Sequence, residues 1–320
     1  MARASPPSEL PLTSSQPYSN HTSSHPQTPQ HRLIIPQSLP PSSPPSSPSP
    51  SRPSPLIICF HGSSESCSPA WDALAAALAE RTRLRVLFYE RGPGNPRPPE
   101  ATRALRTYLS AAASSPPEEG EGEGEGEGEG EGGRGGLAGP YLLVAHSYGG
   151  AFARTFLRDE LREVAGVVLV ETGQEGGLEK RFDEAQLRRR VLRDRPLVVV
   201  RGNSLIGKWA ELEERERAAG GSGSAGEGEA RARAREGLEA QRFMLRRADE
   251  EDERLKRAQL RLSRRHRFVQ VEGCGHHVVR DRPDEVVAAV EWVLDNLDKG
   301  EERQGLWQRV VTKVVRLFRR

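Results

Sequence analysis

The chain contains 320 residues, with 47 Lys and Arg against 45 Asp and Glu, so its formal net charge at pH 7 is only +2. This near-neutral balance gives no reason to expect nucleic acid as a partner. Three cysteines are too few for a disulfide framework. No apolar run reaches the roughly 18 residues of a membrane-spanning helix, and the N-terminus does not look like a secretory signal. We therefore expect a cytoplasmic protein.

The first predicted segment is a tail over residues 1–54 that is dominated by Ser and Pro. Such a composition cannot bury enough apolar surface to offset the entropy lost on ordering, so the tail is predicted to be disordered. One apolar island within it, at residues 31–36, could form an edge strand of the domain that follows.

Residues 55–298 are predicted to form a single domain in which apolar runs alternate with amphipathic segments. The uninterrupted apolar runs are typical of buried strands, and the segments between them carry apolar residues at helical spacing. This alternation predicts a mostly parallel, doubly wound sheet flanked by helices, in the α/β class. The predicted strands begin at residues 55, 84, 141, 166, 196 and 268.

Two low-complexity segments interrupt this domain. Residues 114–136 contain a Glu-Gly repeat, in which glycine and like charges support neither helix nor strand. We interpret this segment as a flexible loop expansion, with an acidic interaction segment as the alternative. Residues 218–230, rich in Gly, Ser and Glu, are also predicted to be flexible. They separate a helix near 208–218 from a long charged helix that ends near residue 262, and these helices could form a cap.

The last predicted segment, residues 299–320, contains a basic amphipathic helix from residue 306 onward. Its apolar face would suit docking on the domain or on a partner. Membrane-surface contact is the alternative, because basic amphipathic helices also bind at the lipid interface. The sequence leaves the oligomeric state open.

A serine lies at the predicted turn between the strand that begins at residue 141 and the helix after it. The stretch Ala145-His146-Ser147-Tyr148-Gly149 follows the nucleophile-elbow pattern G-x-S-x-G, with Ala in place of the first Gly. Small neighbours let strand and helix approach closely, and the turn presents the hydroxyl beside the first helical N–H groups. The alternative is a glycine-rich turn with a chance serine.

Two further motifs follow strand ends. One predicted strand ends in His61-Gly62, and another ends in Gly273-Cys274-Gly275-His276. With serine before histidine in chain order, and with all three motifs at the carboxyl ends of strands, residues 55–298 resemble the serine hydrolases of the α/β-hydrolase superfamily.

The resemblance implies roles for four residues. Ser147 would be the nucleophile and His276 the general base, with the neighbouring His277 as the competing choice. The backbone N–H groups of Tyr148 and Ser63 would form the oxyanion hole. The chemistry needs no cofactor and no metal.

The acid that orients the base departs from the superfamily pattern. Relatives usually place Asp after the strand that corresponds to residues 196–201, but Gly202-Asn203-Ser204 follows it here. Some relatives use an acid at the end of the preceding strand, where this chain has Glu171. Glu171 is therefore the candidate acid. Glu175, Asp183 and a carboxylate from the helical segments near 208–262 are the alternatives.

The expected activity is cleavage of a small-molecule acyl substrate through an acyl-serine intermediate. An ester is the first expectation, and a thioester or an amide is less favoured. Acyl transfer to another alcohol is an alternative on the same fold. A binding protein without turnover is a third possibility, because the usual acid is missing.

Overall fold

The computed structural model describes residues 31–36, 54–63, 66–91, 96–114, 137–173, 178–221 and 228–297. Most of the N-terminal tail, the Glu-Gly repeat and the basic segment 299–320 lie outside these residues. The interpretations given above for those three segments therefore stay predictions.

Seven strands form one sheet in the described part of the chain. They are β1 (Arg32–Ile34), β2 (Leu56–Phe60), β3 (Val86–Tyr89), β4 (Tyr141–His146), β5 (Val164–Val170), β6 (Leu197–Arg201) and β7 (His266–Gln270). Their order across the sheet is β1-β3-β2-β4-β5-β6-β7. β1 pairs antiparallel with β3, and the other pairings are parallel. The predicted mostly parallel sheet is confirmed, and β1 lies within the predicted edge segment.

Helices cover both faces of this sheet. They are α1 (Asp72–Thr82), α2 (Pro98–Ser114), α3 (Gly149–Asp159), α4 (Lys180–Arg189), α5 (Ile206–Gly221), α6 (Gly228–Ala258), α7 (Val278–Asp281) and α8 (Pro283–Asp295). α1, α7 and α8 pack on one face, whereas α2 and α3 pack on the other. Within the described ranges, no helix combines the length and the apolar character needed to cross a membrane.

The alternation of side chains along β2 explains why the strands read as continuous apolar runs. Ile57 and Cys59 belong to the core under α1 and α8, whereas Leu56, Ile58 and Phe60 belong to the core under α2 and α3. All five side chains are 1% exposed or less. Full burial of a large aliphatic or aromatic side chain contributes about 1.5–3 kcal/mol. Both faces of each central strand therefore have to be apolar.

The helical segments between β6 and β7 extend further than predicted. α5 continues to Gly221 and α6 begins at Gly228, so both ends of the segment 218–230 are helical. The two helices contact each other, and Arg242 on α6 forms an ion pair with Glu216 on α5. Contacts between two helices stabilise terminal helical turns whose own Gly- and Ser-rich sequence favours helix only weakly. Residues 222–227 lie outside the described ranges.

Candidate active site

Ser147 lies at the sharp turn between β4 and α3. Its φ of 50° is in the left-handed region, which strains a non-glycine residue by the order of 1–3 kcal/mol. Its backbone N–H donates to the Val170 carbonyl oxygen on β5 over 3.0 Å. A Cβ on Gly149 would lie only 2.1 Å from the Phe60 carbonyl oxygen, so α3 starts in direct contact with the end of β2. This is the close approach that a nucleophile elbow needs.

His276 lies in the loop between β7 and α7, beside this elbow. Its Nδ1 is 3.1 Å from Glu171 Oε2. Its ring centroid is 4.9 Å from that of His146, the residue before Ser147, and its backbone oxygen is 2.9 Å from His146 Nε2. In the described residues no hydrogen bond joins Ser147 to His276. Hydrogen bonds of this kind are often long until substrate binds.

The carboxylate of Glu171 is fully buried at the end of β5, and donors surround it. The Gly202 N–H donates to Oε1 over 2.8 Å, and the Ser204 hydroxyl donates to Oε2 over 2.6 Å. The ammonium nitrogen of Lys256 lies 3.6 Å from Oε1. The structure thus brings the candidate acid and the candidate base together, with both carboxylate oxygens occupied.

The electrostatics of Glu171 favour the ionised carboxylate. Burial by itself raises the pKa of this group, but the hydrogen bond with His276, the charge of Lys256 and the Ser204 hydroxyl together hold the pKa below its usual value. An ionised acceptor beside Nδ1 favours the tautomer that carries its proton on Nδ1. The lone pair of the neutral ring is then on Nε2, the nitrogen that a serine hydrolase uses as its base.

The two candidate oxyanion donors lie on different elements. Tyr148 directly precedes α3, where backbone N–H groups have no partner within the helix. Ser63 is an exposed residue in the turn after β2, at the border of the described residues. The contact between Gly149 and the end of β2 brings these two segments close to each other.

Arg91, at the end of β3, holds the loop that leads to Ser63. Its Nη1 donates to the His61 carbonyl oxygen over 2.8 Å, and its Nη2 donates to the Gly62 carbonyl oxygen. The guanidinium carbon lies 4.4 Å from the ring centroid of Phe152 on α3. Arg91 is only 7% exposed. The side chain therefore links the loop after β2 to the helix after the elbow.

One group of side chains near this loop could offer ligands to a metal. Atoms of His61, Cys67 and Glu90 lie within 4.8 Å of one another, and zinc accepts all three residue types. Glu90 already accepts the Cys67 backbone N–H over 2.6 Å, and its other oxygen faces His61 Nε2 at 3.4 Å. We interpret the group as part of the contacts that hold this loop in place.

Of the alternative site residues, His277 lies next to the candidate base, with its ring centroid 5.5 Å from that of His276. Asp183 forms an ion pair with Arg154 of α3. His277 precedes α7, and its carbonyl oxygen accepts the Asp281 N–H. Glu175 lies outside the described residues.

Sequence reasoning missed three residues of this site. Ser204 lies in the loop after β6, where the sequence offers no carboxylate, and a hydroxyl is not a candidate acid. Lys256 is one of many charged residues on α6, and nothing in the local pattern marks it as buried. Arg91 follows the predicted strand that begins at residue 84, and this position just after a strand end is a signal that could have pointed to it.

Comparison with known proteins identifies the family of this chain. A family model described as alpha/beta hydrolase family matches residues 57–289. The chain belongs to the alpha/beta hydrolase family. The match spans the sheet from β2 and reaches into α8, so it includes Ser147, Glu171 and His276. No sequence among the curated proteins matches this chain.

Several solved structures of other proteins are similar to this family member. Est1E from Butyrivibrio proteoclasticus is 10% identical, covers 84% of this chain and 94% of its own, and superposes with a TM-score of 0.44. A predicted CIB-like hydrolase from Thermoplasma acidophilum is 16% identical, covers 76% and 86%, and gives 0.41. A putative lipase from Acinetobacter baumannii is 13% identical, covers 77% and 85%, and gives 0.39. These likenesses are too distant to inform the substrate.

Proposed function

We propose that the protein is a cofactor-independent serine hydrolase that cleaves an ester through an acyl-serine intermediate. The hydrogen bond between His276 Nδ1 and the buried carboxylate of Glu171 carries this proposal. That pair lies beside a strained serine turn, in a chain of the alpha/beta hydrolase family. The finer assignment to esters, with thioesters and amides as the less favoured alternatives, follows from the sequence analysis.

In the proposed reaction His276 and Glu171 activate Ser147. His276 Nε2 takes the proton from the Ser147 hydroxyl as its oxygen attacks the acyl carbon. The Glu171 carboxylate then stabilises the imidazolium and keeps the ring oriented, without taking the proton itself. The negative oxygen of the tetrahedral intermediate accepts hydrogen bonds from the backbone N–H groups of Tyr148 and Ser63.

The same residues complete the turnover. His276 donates its proton to the leaving alcohol, and the acyl group stays on Ser147. His276 then takes a proton from a water molecule as the water oxygen attacks the acyl carbon. The bond between that carbon and Ser147 Oγ breaks, His276 returns the proton to Oγ, and the acid is released. An alcohol in place of that water would give acyl transfer, so adding acceptor alcohols and measuring whether product is diverted distinguishes the two reactions.

The test is covalent labelling by a fluorophosphonate probe, which reacts with activated serines whatever the natural substrate is. We expect the wild type to be labelled, Ser147→Ala and His276→Ala to be unlabelled, and Glu171→Gln to be labelled more slowly. The exposed Ser110 on α2 offers a control, and Ser110→Ala should be labelled like the wild type. Absence of labelling in folded wild-type protein would contradict the proposal and favour a binding protein.

A further inference from the structure

Lys256 is a buried cation in contact with the candidate acid. It lies near the end of α6, its side chain is 2% exposed, and its ammonium nitrogen is 3.6 Å from Glu171 Oε1. One turn earlier on the same helix, Asp252 also pairs with this ammonium. Removing a lysine charge from water is costly unless anions surround it. Lys256 therefore depends on both carboxylates.

The ion pairs extend from Lys256 to the end of β6. Asp252 Oδ2 accepts from Arg201 Nε over 2.9 Å, and Arg201 Nη2 donates to Asp249 Oδ1. Arg201 and Asp252 are each 5% exposed or less. Ion pairs thus connect the face of α6 that meets the sheet with the ends of β5 and β6. They run from Asp249 and Arg201 through Asp252 and Lys256 to Glu171, which contacts His276.

We propose that Lys256 is a positioning residue that sets the pH range in which the His276–Glu171 pair can act as a base. This inference rests on the proposed serine-hydrolase function. His276 lies against Glu171 Oε2, and Lys256 lies on the side of Oε1. The ammonium charge offsets part of the negative charge of the carboxylate. The pair consequently takes up a proton less readily than it would without Lys256.

The other groups around the pair cannot replace this charge. Lys256 is the cation in contact with Glu171 among the described residues, apart from His276 itself if protonated. Arg201 is separated from the carboxylate by Asp252. The titratable or charged groups nearest the pair are His146 of β4, Arg201 of β6, Asp249, Asp252 and Lys256 of α6, Cys274 and His277 of the loop after β7, and Asp281 of α7.

The test is the pH dependence of the fluorophosphonate labelling rate in wild type, Lys256→Met and Lys256→Arg. The acidic limb of this profile is the range in which the labelling rate falls as the pH is lowered. In the Lys256→Met variant it should move to higher pH by about 1 unit, because the pair without the neighbouring cation stays protonated up to a higher pH. Above that limb its rate should approach the wild-type rate. Lys256→Arg retains the charge and should restore the wild-type limb. A matched surface control is Arg254→Met, whose side chain is 63% exposed on the same helix and should leave the profile unchanged.

A second variant covers the case in which Lys256→Met does not fold. Asp252→Asn removes an anion from the same network, so its acidic limb should move to lower pH. An unmoved limb in folded Lys256→Met or Asp252→Asn protein would overturn the inference, and so would a rate lowered equally at every pH in either variant. An unlabelled wild type would instead contradict the proposed function, so the two failures are distinguishable.

Discussion

Two non-glycine residues of the candidate site share an unusual backbone conformation. Ser147 has a φ of 50° and Glu171 a φ of 53°. They directly follow β4 and β5, which pair in parallel, so the two strained residues lie at neighbouring strand ends. Backbone hydrogen bonds hold both residues. The Glu171 N–H donates to the Val200 carbonyl oxygen over 2.9 Å, and the Ser147 N–H donates to the Val170 carbonyl oxygen over 3.0 Å. Strain of this kind persists only where the surrounding structure imposes it.

The contact at Gly149 is the residue-level feature that holds the elbow in place. Gly149→Ala would set a methyl group 2.1 Å from the Phe60 carbonyl oxygen, and backbone cannot move aside as a flexible side chain can. We expect a loss of about 1–3 kcal/mol in the free energy of unfolding, measured by urea denaturation, together with slower fluorophosphonate labelling.

Gly207→Ala is the matched control for that substitution. Gly207 lies near the start of α5, and a Cβ there would have nothing within 4 Å. Its free energy of unfolding should stay the same or rise by up to about 1 kcal/mol, because alanine favours helix over glycine. Equal stability of the Gly149 and Gly207 variants would show that α3 does not need its close approach to β2.

At the scale of elements, the two sides of α6 carry charges with different consequences. On the exposed side, Arg254 pairs with Glu251, and solvent-exposed pairs of this kind contribute little. On the side that meets the sheet, Arg201 of β6 pairs with Asp252 and Asp249. Burial alone would lower the pKa of Arg201, but the two aspartates raise it. The buried pairs are therefore the ones that fix α6 on the sheet.

Arg201→Met tests this difference. The substitution leaves Asp252 buried without its main partner on the sheet, and breaking a buried pair costs about 3–5 kcal/mol. We expect a lower midpoint in thermal and urea denaturation. Arg254→Ala should leave both midpoints unchanged. Equal effects of the two substitutions would mean that α6 is held by apolar contacts alone.

The elements that sequence reasoning predicted best are those with a local signal. β4 and β5 are continuous apolar runs, and the elbow carries its small residues at fixed spacing around Ser147. Glu171 is predicted as the candidate acid because it ends one of these runs. Each prediction needed only a pattern over a few neighbouring residues. In a parallel sheet the carboxyl ends of the strands lie along the same edge, so residues that follow different strands come close together.

The remainder of the site depends on contacts between distant segments. Lys256 becomes part of the site only because α6 packs against the ends of β5 and β6, and its local sequence resembles that of any exposed charged helix. Ser204 acquires a partner only through the pairing of β5 with β6. Which strand lies beside which, and which helix face packs on the sheet, cannot be predicted from the sequence of either segment alone.

At the scale of the whole molecule, the sheet separates two apolar cores, and the cysteines share one of them. Cys59, Cys67 and Cys274 all belong to the core under α1 and α8. Each is a free thiol that is 3% exposed or less. Burial is the main cause that raises the pKa of all three thiols. The thiolate form, which is the reactive one, is therefore suppressed while the fold is intact.

The resulting prediction concerns thiol reactivity. Iodoacetamide at pH 8 should modify none of the three cysteines rapidly in the folded protein, and should modify all three in urea, as counted by mass spectrometry. The rate in dilute urea should follow the unfolded fraction, because exposure of the thiols requires opening of the core. A thiol that reacts rapidly without denaturant would contradict the burial of that cysteine.

The position of Ser204 bears on how this scaffold can change over evolutionary time. Its hydroxyl oxygen is 2.6 Å from Glu171 Oε2 and 3.2 Å from His276 Nδ1, so the ends of two neighbouring strands reach the same imidazole nitrogen. A carboxylate acquired at position 204 would lie beside the same imidazole nitrogen, while Glu171 was still present. The proposed acid could thus migrate from one strand to the next through an intermediate that carries both, without a step in which the histidine has none.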